Sequence, residues 1–152
     1  MKNKHAYADT EAQLDRHIKE KQSVEFAISI FDINGLKEVN DTQGHQAGDQ
    51  YIRKGCQIIC DIYKHSPVFR IGGDEFAVIS QGDDYKNVES LLKTVEELNK
   101  KNSAAGDVTL AGGMSKYCND SSVAEVFKRA DTLMYENKKK MYKDKFKIYD
   151  RR

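Results

Sequence analysis

From Glu25 to Phe31 the chain reads Glu-Phe-Ala-Ile-Ser-Ile-Phe, a short, largely apolar, β-branched run. So little polarity over that length predicts a strand buried at the centre of a sheet. Ahead of it, residues 9–21 are polar with Leu14 and Ile18 four apart, the thin apolar stripe of a first helix. Beyond Asp32 the period lengthens. Tyr51, Gly55, Ile58, Ile59 and Ile62 fall on one face of a helix. Residues 67–71 and 75–79 are strand-like runs around Gly72-Gly73-Asp74, a hairpin signal in which the glycines make the turn permissive. Val88, Leu91, Leu92, Val95 and Leu98 predict another amphipathic helix, and residues 108–114 a short strand. Val123, Val126, Phe127, Ala130, Leu133 and Met134 predict a helix that Ser121 or Ser122 would cap. Residues 146–149, Phe-Lys-Ile-Tyr, predict a last strand. Strands alternating with helices, plus one hairpin, predict an α/β or α+β sandwich with helices on a mixed sheet.

Length and punctuation add one constraint. The 152 residues hold a single proline, Pro67, and neither repeat nor low-complexity tract, so residues 1–152 are read as one domain. Lys+Arg 25 against Asp+Glu 24 leaves a formal charge of +1, which argues against broad nucleic-acid binding. A small anionic ligand stays open, because backbone N–H groups and a few cations suffice for phosphate. Cys56, Cys60 and Cys118 are too few and scattered for a disulfide framework. Cys56 and Cys60 share a helix face as two small residues in a reducing compartment. No apolar run approaches the ~18 residues of a membrane helix, and no apolar stretch follows Met1-Lys2-Asn3-Lys4-His5 as in a signal peptide. The expected location is the cytoplasm.

Candidate chemistry gathers at three places. Asp32 ends the first buried strand, aimed out of the sheet edge where open α/β sheets bind ligands. Asp74 and Glu75 sit on the hairpin tip. If the hairpin lies beside that strand the three acids converge, and an all-oxygen cluster suits Mg²⁺ or Mn²⁺ rather than zinc. Taken singly, each acid is a solvated turn residue. Asn34, Gly35, Leu36 and Lys37 follow Asp32 directly, a strand-to-helix turn with free N–H groups and a cation, suited to a triphosphate. Asp49 has the chemistry to accept from the N1–H and 2-amino groups of guanine, with Asn40 as a further edge contact. Equally, Asp49 reads as a first-turn helix acid favoured by the macrodipole. His45 reads as structural.

The string Arg70-Ile71-Gly72-Gly73-Asp74-Glu75-Phe76 closely resembles the signature of the GGDEF family of diguanylate cyclases. Phe31-Asp32-Ile33-Asn34, Lys37, Asn40-Asp41, Gly44-His45 and Gly48-Asp49 resemble the family's preceding motif. Ala130-Asp131, Tyr135 and Lys138 resemble its C-terminal helix motif. The resemblance covers almost the whole chain. It implies a central, mostly antiparallel five-stranded sheet wrapped by helices, similar to nucleotidyl cyclase and polymerase palm domains. It implies that Asp32, Asp74 and the Ile33 carbonyl hold Mg²⁺ or Mn²⁺, with Glu75 in the same acidic centre. Asn34, Gly35, Leu36, Lys37 and Lys138 would hold the phosphates of GTP, and Asn40 and Asp49 would read the guanine. The implied reaction condenses two GTP into cyclic di-GMP across a transient homodimer, each copy supplying a half-site.

The departures are specific. Asn34 stands where the family often has a second Asp. Tyr142 stands where an arginine often grips phosphate, four residues after the lysine. Tyr63-Lys64-His65-Ser66 replaces the Arg-x-x-Asp pair of the family's product-inhibitory site, so no inhibition through that site is expected. Met1-Lys2-Asn3-Lys4 stands where the family's N-terminal segment is longer, as in a domain excised from a larger signalling protein. Two rival readings are a GTP-binding regulatory module without turnover, and a relative that accepts ATP.

Overall fold

The structure, a computed structural model, describes residues 1–150, with side chains described through Lys143. The first helix, α1 (Lys4–Lys19), starts earlier than its apolar stripe suggests, because the Asn3 side chain caps it by accepting from the Ala6 N–H. Strand β1 (Ala27–Ile33) follows, then α2 (Leu36–Gln43) and α3 (His45–Ile62). The hairpin is β2 (Val68–Arg70) and β3 (Glu75–Ser80); then come α4 (Gly82–Lys86), α5 (Val88–Ala105), β4 (Leu110–Lys116) and α6 (Val123–Asp150).

The described strands form one four-stranded sheet in the order β2-β3-β1-β4. Every neighbouring pair among them is antiparallel. Strand β1 therefore runs between two partners and is buried at every position, as its apolar run predicts. The fifth strand is a correction. Residues 146–149 lie within the bounds of α6. From Val123 to Asp150 the sequence has no glycine or proline, and three β-favouring residues do not stop a helix rich in Lys.

The period-2 alternation of the strands sorts residues into two cores. Ile28 and Ile30 of β1, Ala77 and Ile79 of β3 and Ala111 of β4 pack with Tyr7, Leu14, Val126, Ala130 and Met134 of α1 and α6. Ala27, Phe31 and Ile33 pack on the opposite face with Ile59, Tyr63, Val88 and Val95 of α3 and α5. Continuing the first alternation along β1 puts Asp32 on the α6 face. The same parity puts Glu75 of β3 there. Gly113 lets α6 lie flat on β4: a Cβ there would stand 2.2 Å from the Met134 nitrogen and 2.4 Å from the Ala130 carbonyl oxygen.

The start of α6 is held differently from the expected serine cap. The Val123 N–H donates to Asp15 Oδ1 of α1 at 2.8 Å. Ser121 instead bonds Glu125 through both its backbone N–H and its hydroxyl. Cys56 and Cys60 do share a face, their sulfurs 3.9 Å apart.

Candidate active site

The signature turn is fastened to the end of β1. Asp32 and Glu75 are register partners, and the Ile33 N–H donates to the Asp74 carbonyl at 2.9 Å. Asp32 therefore meets the adjacent pair Asp74 and Glu75, far from it in sequence, at one sheet edge. Asp32 is buried, while Asp74 and Glu75 are half-buried. Lys138 of α6 reaches in from above, its Nζ 3.0 Å from Asp32 Oδ2.

The electrostatics follow from crowding. Burial pushes the Glu75 carboxyl up to about 7, aided by Asp131 on α6 and then by Asp32 and Asp74. Burial also raises Asp32; the Lys138 hydrogen bond opposes the rise, and Asp74 reinforces it. Burial alone would lower Lys138, but the hydrogen bond and charge of Asp32 outweigh that and leave it raised. The sequence marks Asp131 only as part of a motif. Its spacing of seven from Lys138 sets both on one helix face, a signal of their proximity.

Asp32 Oδ1 is buried without a hydrogen-bond partner among the described residues. A buried carboxylate oxygen left so is costly, and a hard cation would satisfy it. Yet among the described residues no three His, Cys, Asp or Glu side chains form a ready metal cluster. Mg²⁺ suits such a half-built site, since it is commonly held by one or two carboxylates with phosphate and water completing the shell. The acids present fit the cation.

The turn after β1 is partly committed. The Asn34 N–H donates to the Thr109 carbonyl at 3.0 Å, so this amide is not free for phosphate, contrary to the sequence expectation. Its side chain donates to Thr109 Oγ1 at 3.1 Å and to Met141 Sδ at 3.4 Å, which ties the turn to β4 and α6. Gly35 has φ 75°, a left-handed backbone that favours glycine, and a Cβ there would meet nothing within 4 Å. Open space therefore faces the start of α2, where the Leu36 and Lys37 amides have no intrahelical acceptor. Lys37 itself is exposed.

The remaining expected contacts lie at the α2–α3 corner. The Asn40 side chain rests on Gly48, where a Cβ would stand 1.7 Å from Asn40 Oδ1. Asp49, next in sequence, is exposed and fifth in α3, beyond its first turn. His45 is exposed at the first position of that helix. At the tip, Gly72 and Gly73 do not carry positive φ. What they contribute is room: nothing lies within 4 Å of a Cβ at Gly73, and Gly72 meets only Glu75. At the opposite end of the hairpin, Ser66 donates to the buried Asp84 at 2.6 Å and the His65 N–H donates to it at 3.0 Å. Tyr63 is buried. Tyr63 and Ser66 thus serve internal packing, while the side chains of Lys64 and His65 are exposed.

Comparison with known proteins places these features. The family profile described as "Diguanylate cyclase, GGDEF domain" matches residues 3–144. Diguanylate cyclase DosC of Escherichia coli strain K12 is 30% identical over 121 residues, 75% of this chain and 26% of that protein. An uncharacterized membrane protein of Staphylococcus haemolyticus, SH2145, is 30% identical over 138 residues, 81% of this chain and 39% of its own length. The chain thus spans about a quarter to two-fifths of these relatives. Among solved structures, the GGDEF domain of DgcB from Caulobacter crescentus in complex with c-di-GMP superposes with a TM-score of 0.73 at 26% identity. That match covers 90% of this chain and 85% of the other. No helix among the described residues is long and apolar enough to cross a membrane.

Proposed function

The chain belongs to the GGDEF family of diguanylate cyclase domains, and on that premise we propose that it condenses two GTP molecules into cyclic di-GMP and two pyrophosphates. The observation that carries the reading is the meeting of Asp32, Asp74 and Glu75 at one sheet edge under Lys138, with one buried oxygen of Asp32 unpaired among the described residues. Asp32, Asp74 and the Ile33 carbonyl are the groups that would hold Mg²⁺ or Mn²⁺. Such an ion supplies charge neutralisation on the attacked α-phosphate and the leaving pyrophosphate.

The protein's own groups do the rest. Lys138 gives up Asp32 and turns to phosphate, one charge replacing another. Gly35, Leu36 and Lys37 receive the phosphates at the open start of α2; Asn34 holds the turn. Glu75, with its raised affinity for a proton, is placed to take the proton of an attacking 3′-hydroxyl or to support the acidic centre. Asn40, fixed against Gly48, and Asp49 beside it read guanine's donors, which adenine does not present.

One copy binds one GTP, so a second copy must face it and bring each 3′-hydroxyl to the other's α-phosphate. The domain is read as one module of a longer signalling protein, supported by relatives in which the matched region is a minor part. The Tyr63–Ser66 stretch offers neither guanidinium nor carboxylate of its own, so it does not serve as a product-inhibitory site. Its test is pyrophosphate release at rising protein concentration with Mg²⁺ and GTP. A rate that climbs more steeply than linearly supports the paired half-sites. GTP binding without pyrophosphate release, even from two tethered copies, would favour a regulatory module, the reading to which Tyr142 lends weight.

A further inference from the structure

The crest of the signature turn is held by a side chain from its own hairpin. Arg70, the last residue of β2, folds forward over the loop. Its Nε donates to the Gly72 carbonyl at 3.2 Å and its Nη2 to the Gly73 carbonyl at 2.8 Å. Backbone bonds close the loop beneath: the Ile71 and Gly72 N–H groups both donate to the Glu75 carbonyl, at 3.0 and 3.3 Å. At its base, the Asp74 carbonyl accepts from Ile33. The carboxylates of Asp74 and Glu75 are thus presented by a turn pinned at two ends.

Gly72 and Gly73 are exposed and bring no side chain to anchor themselves. Two consecutive glycines without an anchor sample many backbone states, and ordering them on metal or nucleotide binding would cost entropy. The planar fork of an arginine takes two carbonyls at once and removes that cost in advance; a lysine ammonium is a point donor without the fork. Arg70 is itself seated from the beginning of the chain. The Lys2 N–H donates to the Val68 carbonyl at 2.8 Å, and the Arg70 N–H donates to the Lys2 carbonyl at 2.8 Å. Lys2 thereby pairs in parallel with Phe69 on the outer edge of β2.

We propose that Arg70 is a positioning residue for the Asp74–Glu75 turn, and that the strap at Lys2, by holding the Arg70 backbone, couples that turn to the segment entering α1. The inference rests on the function proposed above, but its first readouts do not require turnover.

The test compares wild type with Arg70→Ala, Arg70→Lys and Lys2→Pro, the last removing the N–H that bonds Val68. Amide hydrogen exchange is read at Ile71 and Gly72 in the metal-free chain, Mn²⁺–GTP affinity by water-proton relaxation, and kcat and KM separately. In Arg70→Ala, exchange at those two amides quickens about tenfold while β1 amides keep their rates. Affinity for Mn²⁺–GTP falls about five- to tenfold, and kcat falls by a larger factor than KM rises. Arg70→Lys restores less than half of each change, and Lys2→Pro quickens the same amides by a smaller factor. Unchanged exchange and affinity in Arg70→Ala, or full rescue by lysine, would overturn the role of Arg70. Unchanged exchange in Lys2→Pro would overturn the coupling to the strap. A tethered pair of wild-type copies that binds GTP but makes no cyclic product would refute the proposed function, and the exchange and Mn²⁺ readouts would still decide the inference.

Discussion

Lys138 stands 3.0 Å from Asp32, joining residues 106 positions apart and spanning the end of β1 to the middle of α6. In the metal-free domain this lysine neutralises one oxygen of a buried carboxylate whose other oxygen has no partner among the described residues. Replacing Lys138 with Met strands that charge. The variant is expected to lose about 1–3 kcal/mol of folding stability without metal, read by urea denaturation. Mg²⁺ restores more stability to the variant than to wild type. Equal stability in both would show that the pair contributes nothing.

Glu75 imposes a pH dependence of defined sign. Its folded carboxyl binds a proton up to about pH 7, well above the ordinary carboxylate range, chiefly because of burial and then Asp131. Where the folded state holds the proton and the unfolded state has lost it, stability falls as pH rises. Metal-free wild type therefore loses stability from the ordinary carboxylate range through neutrality, and Glu75→Gln flattens that slope. Asp131→Asn lowers the Glu75 midpoint, measurable by NMR titration.

Tyr142 offers a gain-of-function test. It is partly exposed on α6, four residues after Lys138 and close enough to raise that lysine's proton affinity. Tyr142→Arg supplies a guanidinium that can take phosphate in a bidentate manner. GTP affinity in the presence of Mg²⁺ is expected to rise about tenfold, roughly the value of one charge-assisted hydrogen bond. Calorimetry or filter binding would measure it.

The close approach of α6 to β4 makes Gly113 intolerant. A single methyl at that position would collide with the backbone of Ala130 and Met134. Gly113→Ala is expected to cost about 1–3 kcal/mol and, by shifting α6, to weaken GTP binding through Lys138. Thermal unfolding and GTP titration of the same sample separate the two effects.

Much of this was legible in the sequence, for reasons that differ by residue. The apolar run of β1 could hardly be anything but a central strand, with Asp32 at its end; that Glu75 shares its face follows from the register of β1 against β3, which the sequence left conditional. The hairpin was legible from Gly72-Gly73, although their contribution is space rather than a left-handed backbone. Local propensity misled at residues 146–149, where aromatic and β-branched residues suggested a strand that the uninterrupted helix overrides. Long-range polar contacts were invisible. Asp15 capping α6 at Val123, Thr109 binding Asn34 and Arg70 bracing two carbonyls leave no periodic trace. Only the folded chain brings such pairs together.

The central claim is tested most directly by identifying the product. The purified chain, and a tethered pair of copies, would be incubated with GTP and Mg²⁺ and resolved by liquid chromatography with mass detection, beside an Asp74→Asn, Glu75→Gln control. The account predicts cyclic di-GMP from the active chain, more from the tethered pair at equal concentration, and none from the control. GTP bound but unconverted by the tethered pair would contradict it.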